Sequence, residues 1–118
     1  MRLTILSSCI CLLIGCTKLL PENTQLRIFN NSNIIFDSVL VNSPGGKHQY
    51  HQIAPGSSSD YKKYRFIYNY AYLEVYFNNQ MLKLQPIDYV GEEKLRSGNY
   101  SYRITVNAGS LSLQCVKD

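Results

Sequence analysis

The stretch Tyr70-Ala71-Tyr72-Leu73-Glu74-Val75-Tyr76-Phe77 restricts the backbone more tightly than any other part of the chain. Its side chains change character at every step. Ala71, Leu73, Val75 and Phe77 are apolar, while Tyr70, Tyr72, Glu74 and Tyr76 carry a polar tip. A helix would scatter both sets around its circumference, whereas an extended strand sends them to opposite faces. The stretch is therefore predicted to be a strand with one dry face and one amphipathic, aromatic face. The same period of two recurs along the chain. Leu26 and Ile28 flank Arg27; Tyr102, Ile104 and Val106 alternate with Ser101, Arg103 and Thr105; and Leu111, Leu113 and Cys115 repeat the pattern. Ten tyrosines and many β-branched residues suit such half-buried pleated surfaces.

Turn chemistry separates these runs. Asn42-Ser43-Pro44-Gly45-Gly46 divides the Ile34 to Val41 run from Lys47 to Ile53, and Ala54-Pro55-Gly56-Ser57-Ser58-Ser59 ends the latter. Asn78-Asn79 stands before the Met81 to Leu84 run, where asparagine tolerates the positive φ of a tight hairpin. Asn107-Ala108-Gly109-Ser110 joins the last two strands. Seven or eight short strands at this spacing predict an all-β fold, an antiparallel β-sandwich with immunoglobulin-like or Greek-key connections. A small closed barrel is the competing architecture. Helix is not expected beyond the first residues, except for one turn near Ile87 to Leu95. Residues 25–118 have the length of one small domain, with no internal repeat, heptad or low-complexity block.

Residues 1–15 have the three parts of a secretory signal: Arg2 as the positive start, Leu3 to Ile14 as the apolar middle, and Gly15 as the small residue before a cut. The apolar part is shorter than the roughly 20 residues of a membrane-spanning helix. Leu13-Ile14-Gly15-Cys16 resembles the lipobox of bacterial lipoproteins. That resemblance implies cleavage before Cys16, diacylglycerol on its thiol and a further acyl chain such as palmitate on the new amino terminus. Two or more chains hold a protein on its bilayer, whereas one holds weakly. Residues 16–24 then form a short tether. With no aspartate after Cys16, the tether resembles those of lipoproteins sorted to the outer membrane under the enterobacterial rule; the side of the membrane stays open. Cys9 and Cys11 fall in the signal and Cys16 is taken by lipid, so Cys115 is left as one free thiol. Its place in an apolar alternation reads as a small core residue, since a nucleophile needs a base and an electropositive, accessible setting.

Two further likenesses bear on shape. Leu95-Arg96-Ser97-Gly98-Asn99-Tyr100-Ser101-Tyr102 resembles the tyrosine corner of immunoglobulin-like domains, in which a phenol fastens a loop to the sandwich, although the cysteine pair and core tryptophan of antibody domains are absent. Val41-Asn42-Ser43-Pro44-Gly45-Gly46 and Leu84-Gln85-Pro86-Ile87-Asp88-Tyr89-Val90-Gly91-Glu92 are similar to stretches of small β-rich lipoproteins of Bacteroidetes. That group implies location and shape, and no activity.

Lys62-Lys63-Tyr64-Arg65, with Tyr70, Tyr72 and Tyr76, is the candidate surface for an envelope protein or glycan, because cations interleaved with aromatics suit single-stranded nucleic acid or an anionic glycan and an uncovered aromatic face suits a partner. The net charge of +4 forms no basic stripe, and a cell-envelope location argues against nucleic acid as a partner. His48 and His51 are three apart, on opposite faces of a strand, and zinc needs three or four convergent ligands. Asp88, Glu92 and Glu93 lack the spacing of a calcium loop, so neither metal nor cofactor is expected. Asp37-Ser38-Val39 matches the acceptor pattern for O-glycosylation in Bacteroides-type envelopes, at Ser38. No nucleophile and base, and no carboxylate pair, can be assembled from neighbouring residues. The expected role is that of a non-catalytic, lipid-anchored binding or structural module of the cell envelope. The competing reading is a small hydrolase or carbohydrate-active accessory domain using Asp88, Glu92 or His48.

Overall fold

Eight strands form in a computed structural model that describes residues 23–118: seven over the runs marked by alternation and turn chemistry, and a short one at Lys62–Tyr64 where no alternation marks it. They are β1 (Thr24–Asn30), β2 (Phe36–Ser43), β3 (Gly46–Ile53), β4 (Lys62–Tyr64), β5 (Tyr72–Phe77), β6 (Gln80–Leu84), β7 (Gly98–Asn107) and β8 (Ser110–Lys117). The signal segment, Cys16 and the tether as far as residue 22 lie outside the described residues. No helix occurs among the described residues, and the 85–97 loop contains a hydrogen-bonded turn from Glu92 N to Tyr89 O at 3.0 Å.

The strands form two four-stranded sheets, ordered β4-β1-β7-β8 and β3-β2-β5-β6, so the fold is an all-β sandwich. Three two-residue hairpins account for the local pairings: β2–β3 through Pro44-Gly45, β5–β6 through Asn78-Asn79, and β7–β8 through Ala108-Gly109. Asn78, Asn79, Ala108 and Gly109 all have positive φ, as the right-handed twist of a tight hairpin requires. One pairing departs from an antiparallel sandwich. Thr24 to Asn30 run parallel to Gly98 to Ile104. No hairpin constrains these two strands, because the chain crosses between the sheets several times before β7 begins.

Inward side chains of both sheets form the core, including Leu26, Ile28, Val39, Val41, Leu73, Val75, Tyr102 and Ile104. Polar tips inside it are satisfied. Tyr50 Oη donates to Leu26 O at 2.8 Å and lies 3.0 Å from Tyr64 Oη, which ties β3 and β4 to β1. Tyr102 Oη donates to Tyr68 O at 2.6 Å. Buried Asn30 uses its amide on the carbonyls of Ile34 and Ile53. The tyrosine corner is present in form: Tyr100 Oη donates to Arg96 O at 3.1 Å, fastening the loop that precedes β7.

The sandwich has two unlike poles. Asn23 leads into β1 at the basal pole, where Gly98 N donates to Asn23 O at 3.0 Å and Ser97 N to Thr24 Oγ1 at 2.8 Å. The β2–β3 turn and the 65–71 and 85–97 loops share this pole. The distal pole carries the other two hairpins and the ends of β1 and β3. No charged side chain stands in its residues 31–35, 54–59, 78–79 or 108–109.

Candidate functional site

Strand alternation and antiparallel register build one open, mixed surface on the outer face of the second sheet. Asn42 pairs with Tyr72, Leu40 with Glu74, and Ser38 with Tyr76; on the flanks, Glu74 faces Lys83, Tyr76 faces Met81, Leu40 faces Gln49, and Ser38 faces His51. Two phenols frame one carboxylate at its centre. Tyr72 Oη donates to Glu74 Oε2 at 2.6 Å, and Tyr76 Oη donates to Glu74 Oε1 at 2.5 Å. Residues i and i+2 of a strand lie on the same face, so Tyr-Glu-Tyr at alternate positions closes this bracket. The two hydroxyls hold the Glu74 carboxyl below its ordinary range, and the carboxylate in turn raises both phenols. Ser38 lies on this face, in a strand paired on both sides.

The basic run and the tyrosines of the candidate surface part company. Lys62 and Lys63 sit on β4, the short edge strand of the first sheet, where lysines discourage further strand pairing. Tyr64 points inward, 5% exposed, and burial raises its phenol above the usual range. Arg65 Nη2 donates to Pro44 O at 3.1 Å, at the basal pole. Tyr70 Oη donates to Asp88 O at 3.0 Å. Tyr72 and Tyr76 alone remain together, on the face described above.

A second constellation, missed in the sequence, occupies the basal pole. Ile67 and Leu95 exchange backbone hydrogen bonds of 3.0 and 2.8 Å, an isolated antiparallel bridge between two loops. With Ile67 and Leu95 turned inward, their neighbours turn outward. Lys94 Nζ then lies 4.7 Å from the Phe66 ring centroid, Arg96 Cζ 5.4 Å and Arg65 Cζ 5.6 Å, and the three stems shield the ring from solvent. Lys94, Arg96 and Lys117 line a cleft of about 590 Å³ with Glu93, Tyr100 and Cys115. Further along the loop, Tyr89 stacks between Tyr68 and Tyr70, at centroid distances of 4.8 and 5.5 Å. Its neighbours are thereby displayed: Ile87 is 97% exposed and Val90 87%. The legible signal was Lys94-Leu95-Arg96, one apolar residue between two cations.

The residues considered for catalysis have structural employment. His48 Nε2 donates to Lys63 O at 2.7 Å and its ring meets Tyr64 edge-on, joining the β3 and β4 edges. Asp88 Oδ1 accepts from Val90 N at 3.1 Å, and the Glu92 carboxylate lies near the Tyr70 hydroxyl, whose pKa desolvation and this carboxylate raise, so both serve the 85–97 loop. Burial pushes the Cys115 thiol up to about 11, far from a reactive thiolate. Among the described residues, no three of histidine, cysteine, aspartate and glutamate gather as a metal site. No family model, curated protein or solved structure matches the chain.

Proposed function

We propose that this chain is a lipid-anchored cell-envelope protein that binds a glycan, without catalysing a reaction, on the outer face of its second sheet. The Tyr72-Glu74-Tyr76 row carries this reading. A hydroxylated ligand needs acceptors and donors held in fixed positions, beside aromatic surface on which sugar rings rest. Glu74, braced at both oxygens, keeps further lone pairs for ligand hydroxyls. Asn42, Gln49, Ser38 and Lys83 supply donors in neighbouring rows. The core of a protein–protein interface would be poorer in charged side chains and richer in apolar ones than this face. Attachment follows from the lipobox-like Leu13-Ile14-Gly15-Cys16, and the outer membrane is the expected address.

Two measurements test the two halves of the reading. Metabolic labelling with a fatty-acid analogue is expected to mark the wild type and to spare Cys16→Ser; equal labelling of both removes the anchor. Binding to immobilised envelope polysaccharides is expected to fall at least tenfold in Tyr72→Ala and Tyr76→Ala and to persist in Lys63→Ala. Retention by envelope proteins alone, with polysaccharides inert, removes the glycan.

A further inference from the structure

We infer that the basal pole docks flat onto an anionic lipid surface, with Ile87 and Val90 entering the headgroup region and Lys94, Arg96 and Lys117 meeting lipid phosphates. The inference rests on the reading of Cys16 as the lipid-bearing residue. Three independent features converge on this pole.

The first is where the chain arrives. Asn23 is hydrogen-bonded to Gly98 beside the basic cleft. Six residues lie between it and Cys16, seven Cα-to-Cα steps that reach at most about 25 Å. A lipid on Cys16 therefore holds this pole, not the distal one, next to the bilayer. The second is charge. Lys63, Arg65, Lys94, Arg96 and Lys117 lie at this pole, whereas the distal residues 31–35, 54–59, 78–79 and 108–109 carry no charge. Among the described residues, neither Lys94 nor Lys117 has a carboxylate at ion-pair distance. The acids at this pole are in part engaged elsewhere: Asp88 accepts from Val90 N, Asp118 accepts from Ser101 and pairs with Arg27, Glu92 is half-buried, and Glu93 faces the cleft. The third is the apolar tip. Ile87 and Val90 are the two most exposed large apolar side chains described, and both sit on the loop that carries Lys94 and Arg96. A water-facing loop gains nothing by presenting them, whereas apolar side chains beside cations are what an interfacial membrane contact requires.

The test exploits a chain without tryptophan. Ile87→Trp and, at the distal pole, Pro55→Trp each place a single indole in the native protein extracted from its membrane. Reconstitution into vesicles of phosphatidylcholine with phosphatidylglycerol, part of the lipid being brominated, reports contact through quenching. Quenching is expected for Ile87→Trp and not for Pro55→Trp. Added Lys94→Ala and Lys117→Ala should lower the docked-to-free ratio by about thirtyfold, whereas Arg103→Gln, on another face, should leave it unchanged. Equal response of the two indoles, or indifference to the lysine changes, overturns the inference. Intact mass of the same preparation reads the lipid on Cys16 separately. Should that lipid be missing, a blue shift of Ile87→Trp on added anionic vesicles still supports docking, and no shift overturns it.

Discussion

A buried phenol is tolerable only while its hydroxyl has a partner, and this chain uses that requirement as fastening. Tyr102 lies in the middle of β7, yet its hydroxyl ends on the carbonyl of Tyr68, in the loop that prepares the Ile67–Leu95 bridge. Tyr102→Phe is expected to destabilise the fold by about 1–3 kcal/mol in urea unfolding, since it strands a buried carbonyl. Glu74 behaves in the opposite sense, because its partners stabilise a charge on the surface. Its folded pKa is depressed below the unfolded value, so its contribution is present above the unfolded pKa and lost as pH falls through the folded one. Titration followed by NMR should place the Glu74 carboxyl below the ordinary carboxylate range, and Tyr72→Phe with Tyr76→Phe should return it upward.

The elements owe their identity to period and their arrangement to contacts between distant residues. In the β2–β3 hairpin, a Cβ on Gly45 would sit 2.0 Å from the Phe66 carbonyl oxygen, where this turn also accepts the Arg65 N–H at 3.0 Å. Gly45→Ala is expected to cost about 3 kcal/mol, the upper part of the overpacking range, read as a lowered unfolding midpoint. In the β7–β8 hairpin, Ala108 has φ 54° before Gly109, a left-handed position that alanine fills poorly. Ala108→Asn should raise stability by about 1 kcal/mol in the same assay. These turns were readable from residue types, and so were β5, β7 and β8 from alternation. β1 against β7 was not, because the parallel partners Thr24 and Gly98 share no local signal. Tyr64 gave none either: in Lys62-Lys63-Tyr64-Arg65 a three-residue edge strand is too short to show a period, and its inward turn comes from its register opposite buried Thr24 and from the Tyr50 hydroxyl. Lys94 and Arg96 became a pair only through Ile67, far away in sequence.

Across the whole molecule, Tyr50 and Tyr64 join the two sheets and Tyr102 ties β7 to the 65–71 loop, and burial raises all three phenols above their ordinary range. Groups with raised folded pKa values contribute fully below the unfolded value and lose that contribution as pH rises through the folded one. The sandwich is therefore expected to unfold cooperatively at a pH above about 10, with tyrosinate absorbance and loss of β-sheet circular dichroism rising together. Ionisation of these phenols without unfolding would contradict their burial. The parallel β1–β7 ladder has a mechanical consequence. All seven residues of β1 pair with β7, and β4 grips its first three on the other side. A pull arriving through Asn23 runs along the strand axis and loads these bonds together in shear instead of peeling them one at a time. A protein tugged by its tether against a load at its distal pole would yield at high force, in a single step, and a pulling experiment with the opposite handle on the distal β7–β8 hairpin would register it as one tall rupture.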